Sequence, residues 1–205
     1  MYSAEISRVN PAYFIFMLDQ SGSMSDPFGG GQNEISKAAA CADAVNRTLA
    51  NIIVQCSKGE IIRDYFYISF IGYGNKVSSC LSGILSDKSL VTVSELAEHP
   101  LRTEDRTQKL CDGVGGLVEQ SVKFQVWIQQ VADGGTPMRD AFSRVKSLIN
   151  EWVPGHAEGY PPIILNISDG ESTDGNPESL AQEIKSIQGL DGNPLIFNIH
   201  ILQIH

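Results

Sequence analysis

Three short segments concentrate oxygen-bearing side chains. "DQSGSMS" follows the apolar run "AYFIFML" (12–18) and carries Asp19, Ser21 and Ser23. "DGGTPMRDAF" (133–142) carries Thr136 just ahead of a helical pattern. "SDGESTDG" (168–175) follows the apolar "IILNI" and carries Asp169. Two carboxylates and three hydroxyls are all hard donors. Mg²⁺ takes about six oxygens at roughly 2.1 Å and keeps some water, so few charges plus neutral hydroxyls suit Mg²⁺ or Mn²⁺. No His or Cys lies in these segments, which argues against Zn²⁺ and Cu²⁺. In a turn leaving a strand, Ser21 and Ser23 can point to one side, with Gly22 expected to relieve the backbone. Gly134-Gly135 allows the second segment a close approach.

Each segment also has an ordinary reading. Thr136-Pro137 is a standard N-cap and first-turn pair. Asp169-Gly170 fits an Asx turn, and "DQSGS" fits a solvated turn. What favours a shared site is that all three coincide at the expected edge of one sheet.

The elements that would position them follow from the apolar pattern. "AYFIFML", "DYFYISFIGY" (64–73), "IILNIS" (163–168) and "PLIFNIHIL" (194–202) read as buried strands. Asn33 to Lys58 lacks Gly and Pro and repeats apolar residues from Ile35 to Cys56 at helical spacing. Asn33 is the expected N-cap and Gly59 the stop. Pro137–Val153 is a second helix, with Trp152 on its buried stripe, and a third runs from Asn176-Pro177 through Ile187 to Gly189. Alternating strands and helices predict an α/β fold: a three-layer, doubly wound, Rossmann-like and mostly parallel sheet flanked by helices. In such sheets ligands sit beyond the carboxyl ends of the strands. The polar stretch 102–135 departs from this alternation. It reads as an antiparallel hairpin turning near Asp112-Gly113, inserted over about 102–132, too short to build its own core. Trp127 on it is either a partner contact or a cover for the core.

Length and composition fit one domain over residues 1–205. Apolar residues are 42% and charged residues 19% of the 205, which excludes a disordered chain. The net charge of −9, without any Lys/Arg run, argues against nucleic acid and anionic membranes as partners. There is no signal-peptide pattern and no membrane-length apolar run, so a cytoplasmic location is expected. Cys41, Cys56, Cys80 and Cys111 match no zinc spacing. Cys41 and Cys56 fall on one helix about 22 Å apart, too far for a disulfide.

"DQSGSMS", "GGTPM" and "SDGESTDG", in this order on this pattern, resemble a von Willebrand factor type A (vWA) domain over about residues 11–202. The resemblance implies a metal-ion-dependent adhesion site made of Asp19, Ser21, Ser23, Thr136 and Asp169. The cation, Mg²⁺ or Mn²⁺, would take an Asp or Glu carboxylate from a protein partner. "VKFQVWIQQVADGGTPM" is similar to cytosolic bacterial vWA proteins of the tellurite-resistance-associated type, which implies partners such as kinases, phosphatases or ATPases. The family closes with a further helix after the segment matching "NIHIL", so a truncated C-terminal end is expected at His205. Phe28 and Glu171 are the candidate partner contacts on the rim. Phe28 equally suits a loop anchor, and solvated loop charges are the default reading of Glu171 and Asp174.

Two other functions compete. A metal-dependent phosphohydrolase that starts with an aspartate after its first strand needs a second acid two residues on; Ser21 stands there. No lysine is expected beside the loops, because Lys37 falls inside the first helix, and no nucleophile elbow or phosphate loop is present. The chain is therefore expected not to be an enzyme. The other alternative is a scaffold that uses its hairpin while the metal site is idle.

Overall fold

The computed structural model describes residues 2–29, 34–111 and 116–202. Asn33, the Asp112-Gly113 turn and His205 lie outside the described residues. The main strands are β1 (Ala12–Asp19), β2 (Phe66–Tyr73), β3 (Val77–Ser79), β4 (Val91–Thr92), β7 (Ile163–Ser168) and β8 (Leu195–His200). β5 (Arg102–Cys111) and β6 (Leu117–Val126) form a separate antiparallel hairpin. The helices are α1 (Lys37–Cys56), α2 (Val93–Glu98), α3 (Met138–Trp152) and α4 (Glu178–Lys185).

The sheet runs β8-β7-β1-β2-β3, with β4 also paired to β2. β1 is parallel to both β2 and β7, and β7 to β8. β3 and β4 are antiparallel to β2. This is the expected α/β architecture. Because side chains alternate across a strand, β1 feeds two cores. Phe16 and Leu18 join Cys41, Val45 and Leu49 of α1 on one face. Tyr13, Ile15 and Met17 join Phe142, Val145, Ile149 and Trp152 of α3 on the other, with Ile184 of α4.

That division matters for the site. The chain leaves β1 toward the α1 face and leaves β7 toward the α4 face, yet β1 and β7 are neighbours. Their carboxyl ends flank the switch point where a doubly wound sheet opens a crevice.

Several boundaries differ from expectation. α1 is capped by Ser36, whose hydroxyl accepts the Ala39 amide at 3.1 Å. Ile35-Ser36 instead pair with Pro27-Phe28 in a short ribbon. This puts Lys37 in the first turn of α1, not its interior. Gly59 does not cap α1, which ends at Cys56. It turns a small hairpin between Ser57-Lys58 and Ile61-Ile62, with φ +63°. α4 stops at Lys185, short of Ile187 and Gly189, with Ser186 as its cap. Gly22 has no positive φ, and an added Cβ would touch only the Gly134 carbonyl at 3.5 Å. Its backbone needs no relief.

The hairpin hangs on α1 through named contacts. Asn46 is buried and accepts the amides of Trp127 and Ile128 at 2.9 and 3.0 Å while donating to the Ile128 carbonyl at 2.9 Å. Arg106 pairs with Asp43 and lies over the Phe124 ring at 3.5 Å. Trp127 belongs to the core: it is 1% exposed and its indole donates to the Leu96 carbonyl at 2.7 Å.

Candidate metal centre

The end of β1 and the end of β7 bring the two expected carboxylates to the crevice. Asp19 is buried. Its Oδ1 accepts the Ser21 amide at 2.9 Å, and its Oδ2 accepts the Ser168 hydroxyl at 2.6 Å. Ser23 donates its hydroxyl to Asp169 Oδ1 at 2.8 Å, and Ser21 Oγ lies 3.1 Å from Ser23 Oγ. A serine hydroxyl carries one proton. Ser23 spends its proton on Asp169, so Ser21 donates to Ser23. The first and third loops are thus joined in one hydrogen-bonded chain from Asp19 to Asp169.

The second loop is tied to both. The Gly22 amide donates to the Gly134 carbonyl at 3.0 Å. The Thr136 amide donates to Thr173 Oγ1 at 2.9 Å, and the Thr173 amide returns a bond to the Thr136 carbonyl, also at 2.9 Å. Gly134 has φ +84°, and a Cβ there would fall 2.5 Å from the Asn75 backbone. The close approach expected of Gly134-Gly135 is therefore enforced at Gly134 by both conformation and space.

Thr136 does not cap α3. Pro137 occupies the N-cap position and no side chain of that segment caps the helix. Asp174 does so from the third loop, accepting the Arg139 and Asp140 amides at 3.0 and 2.9 Å. Burial opposes this carboxyl's charge, but bonds from Ser172 and the two amides hold it below the ordinary range. Asp174 is therefore a structural cap and not a free rim charge. Thr136 is buried, and among the described residues its hydroxyl has no hydrogen-bond partner. Among the described residues no buried side-chain oxygen or nitrogen lacks a partner, so this hydroxyl reaches solvent at the crevice, where it is open to a ligand.

Two participants are absent from the expected set. Ser168, the last residue of β7, fixes Asp19. Lys37 is buried, and its Nζ donates to Asp169 Oδ2 at 2.7 Å and to Asp26 Oδ2 at 3.1 Å. The Asp169 side chain is 1% exposed and that of Asp26 is 53% exposed. The bond to Asp169 raises the Lys37 pKa above its ordinary value, outweighing the burial that lowers it. The expectation that no lysine accompanies the loops is overturned. It fails because α1 starts later than Asn33 and so swings Lys37 to the crevice. A lysine in a helix's first turn opposes the helix dipole, and this one is offset by two acids. Ser36 directly before it was the available sequence signal.

The rim candidates divide. Glu171 is exposed on the third loop. Phe28 is half-buried and shares an apolar groove with Ala40, Ala44 and Ile199. Cys41 lies close enough for the Asp19 charge to add to burial, which together push its thiol up to about 12. It is no thiolate ligand. Among the described residues no three His, Cys, Asp or Glu side chains are grouped as a metal site. Any cation here relies on hydroxyls.

No protein-family model matches this chain, and no curated protein matches it. Among solved structures it is similar to the manganese-loaded Plasmodium vivax TRAP protein. The identity is 14% and the TM-score 0.43, over 98% of this chain and 61% of that one. The chain thus spans less than two thirds of that protein's length. Among the described residues no helix is long and apolar enough to cross a membrane.

Proposed function

We propose that the chain is a divalent-cation-dependent protein-binding module of the vWA type. Ser21, Ser23 and Thr136 would supply hydroxyl oxygens to Mg²⁺ or Mn²⁺, and Asp19 and Asp169 would supply its negative charge. The observation that carries this reading is the unpartnered Thr136 hydroxyl, on a loop bonded to both carboxylate-bearing loops. A bound dication would supply a Lewis-acidic position for the Asp or Glu carboxylate of a partner protein. The chain's own residues orient that position. Ser168 and the Ser21 amide hold Asp19, and Ser23 links the first loop to Asp169. Glu171 and the Phe28 ribbon would form the rim that a partner meets. Bacterial kinases, phosphatases or ATPases are the partner classes implied by the tellurite-resistance-type resemblance, with a cytoplasmic setting.

Lys37 beside the crevice removes one objection to a metal-dependent phosphohydrolase. The decisive objection stays: both Asp19 oxygens already accept hydrogen bonds in a buried setting, and Ser21 occupies the position where a general acid would be needed. We infer a non-enzymatic module. Affinity capture in Mg²⁺, followed by chelator elution, tests this. A partner that elutes with chelator from the native chain and is not retained by Asp19→Ala supports the reading. Equal retention by both would leave the metal site idle and overturn it.

A further inference from the structure

The crevice already contains a cation. Lys37 sits at the start of α1, buried, with its ammonium shared between Asp169 on the far side of the site and Asp26 on its own. Its backbone amide also donates to the Asp26 carbonyl at 3.0 Å. Asp26 and Lys37 therefore flank the Pro27-Phe28 and Ile35-Ser36 ribbon, and they are joined at both the backbone and the side chain. Asp169 spends one oxygen on Ser23 and the other on Lys37. Any dication drawing on Asp169 meets a resident positive charge on the same carboxylate.

We propose that Lys37 is a built-in countercation that competes with the divalent ion for Asp169, and that Asp26 is the acid that retains its ammonium when the divalent ion wins. The inference rests on the proposed metal-binding function and deepens it. Occupancy of the site becomes coupled to the Pro27-Phe28 and Ile35-Ser36 ribbon, and so to Phe28 on the rim. It also sets an affinity threshold. A dication and an ammonium drawing on one carboxylate repel by enough to weaken binding on the order of tenfold even at the dielectric of water. Without metal the ammonium offsets the charge of Asp169. Strong binding then needs the added charge of a partner's carboxylate.

The test compares the native chain, Lys37→Met and Asp19→Ala by Mn²⁺ titration, with free Mn²⁺ read by electron paramagnetic resonance, and by thermal unfolding in chelator. Lys37→Met is expected to bind Mn²⁺ at least about tenfold more tightly. Without metal it should unfold about 10 °C lower, because a buried carboxylate has lost its partner. A second readout needs no variant. The Lys37 ammonium signal in nitrogen-15 spectra of the native chain must shift when diamagnetic Mg²⁺ is added; this keeps the inference testable should Lys37→Met not fold. If the native chain binds Mn²⁺ but Lys37→Met binds no tighter, or the ammonium signal stays fixed at saturating Mg²⁺, the inference falls alone. If the native chain binds no better than Asp19→Ala, the proposed function falls, and this inference with it.

Discussion

Replacing Thr136 with valine isolates the one site oxygen that does nothing for the fold. The two side chains are nearly the same size, and the lost hydroxyl has no hydrogen-bond partner among the described residues. Metal-free stability should therefore stay within about 1 kcal/mol of the native chain, about 2–4 °C in Tm for a domain of this size. Metal binding should fall by ten- to a hundredfold or more, the scale on which even supporting groups of a metal site are felt. At a Mg²⁺ concentration about 100 times the native Kd, the native chain gains about 2.7 kcal/mol, or about 5–11 °C. A variant binding a hundredfold more weakly gains about 0.4 kcal/mol at that concentration, which is near the limit of detection. Circular-dichroism melts with chelator and with Mg²⁺ measure both quantities on one sample. A full Mg²⁺-dependent shift in Thr136→Val would refute the assignment of this hydroxyl to the cation. A loss of more than about 5 °C in chelator would show that the hydroxyl has a structural partner after all.

Asp174→Ala should behave in the opposite way: it removes the cap of α3 and lowers stability by about 1 kcal/mol with or without metal, measurable by urea unfolding. Because the folded state holds the Asp174 carboxyl below its ordinary pKa of 3.8, its contribution is present above that pH and is lost as the pH falls through the lower folded value. The native chain and Asp174→Ala should therefore converge in stability in strong acid. Asn46→Ala strands two amides and one carbonyl in the core, so a loss of about 3 kcal/mol or more is expected, with Trp127 fluorescence shifting red as its segment loosens. Gly134→Ala should destabilise the second loop through its positive φ and the Asn75 backbone, seen as a lower Tm in chelator.

The sheet was legible because its strands are continuous apolar runs, and burial on both faces leaves few other readings for "AYFIFML" or "IILNIS". Its edges at β3 and β4 are short and polar, and they carry no such signal. That three polar loops meet at one edge of the sheet was legible because side chains with few uses in a core stand where strands end. What escaped was long-range pairing. Asp174 looks solvated in sequence, yet it caps a helix that begins 36 positions earlier. This freed Thr136 from the capping role its Thr-Pro neighbourhood suggests. Lys37 escaped because the helical pattern continues back to Ile35, so the start of α1 had to be judged by its cap. Ser36 was the correct choice and Asn33 was not. Three residues of shift moved Lys37 from inside the helix to its first turn, and its ammonium to the crevice. Trp127 was ambiguous because strand alternation continues past Val126, where the chain leaves the hairpin and enters the core.

The most direct test of the account is anomalous diffraction from crystals of this chain soaked in Mn²⁺. One strong peak is expected at coordination distance from the Ser21, Ser23 and Thr136 hydroxyls, with Asp19 and Asp169 around it. The Lys37 ammonium should then have withdrawn from Asp169 toward Asp26. Crystals that diffract well and show no peak in the crevice at saturating Mn²⁺, or a peak held elsewhere on the surface, would contradict it.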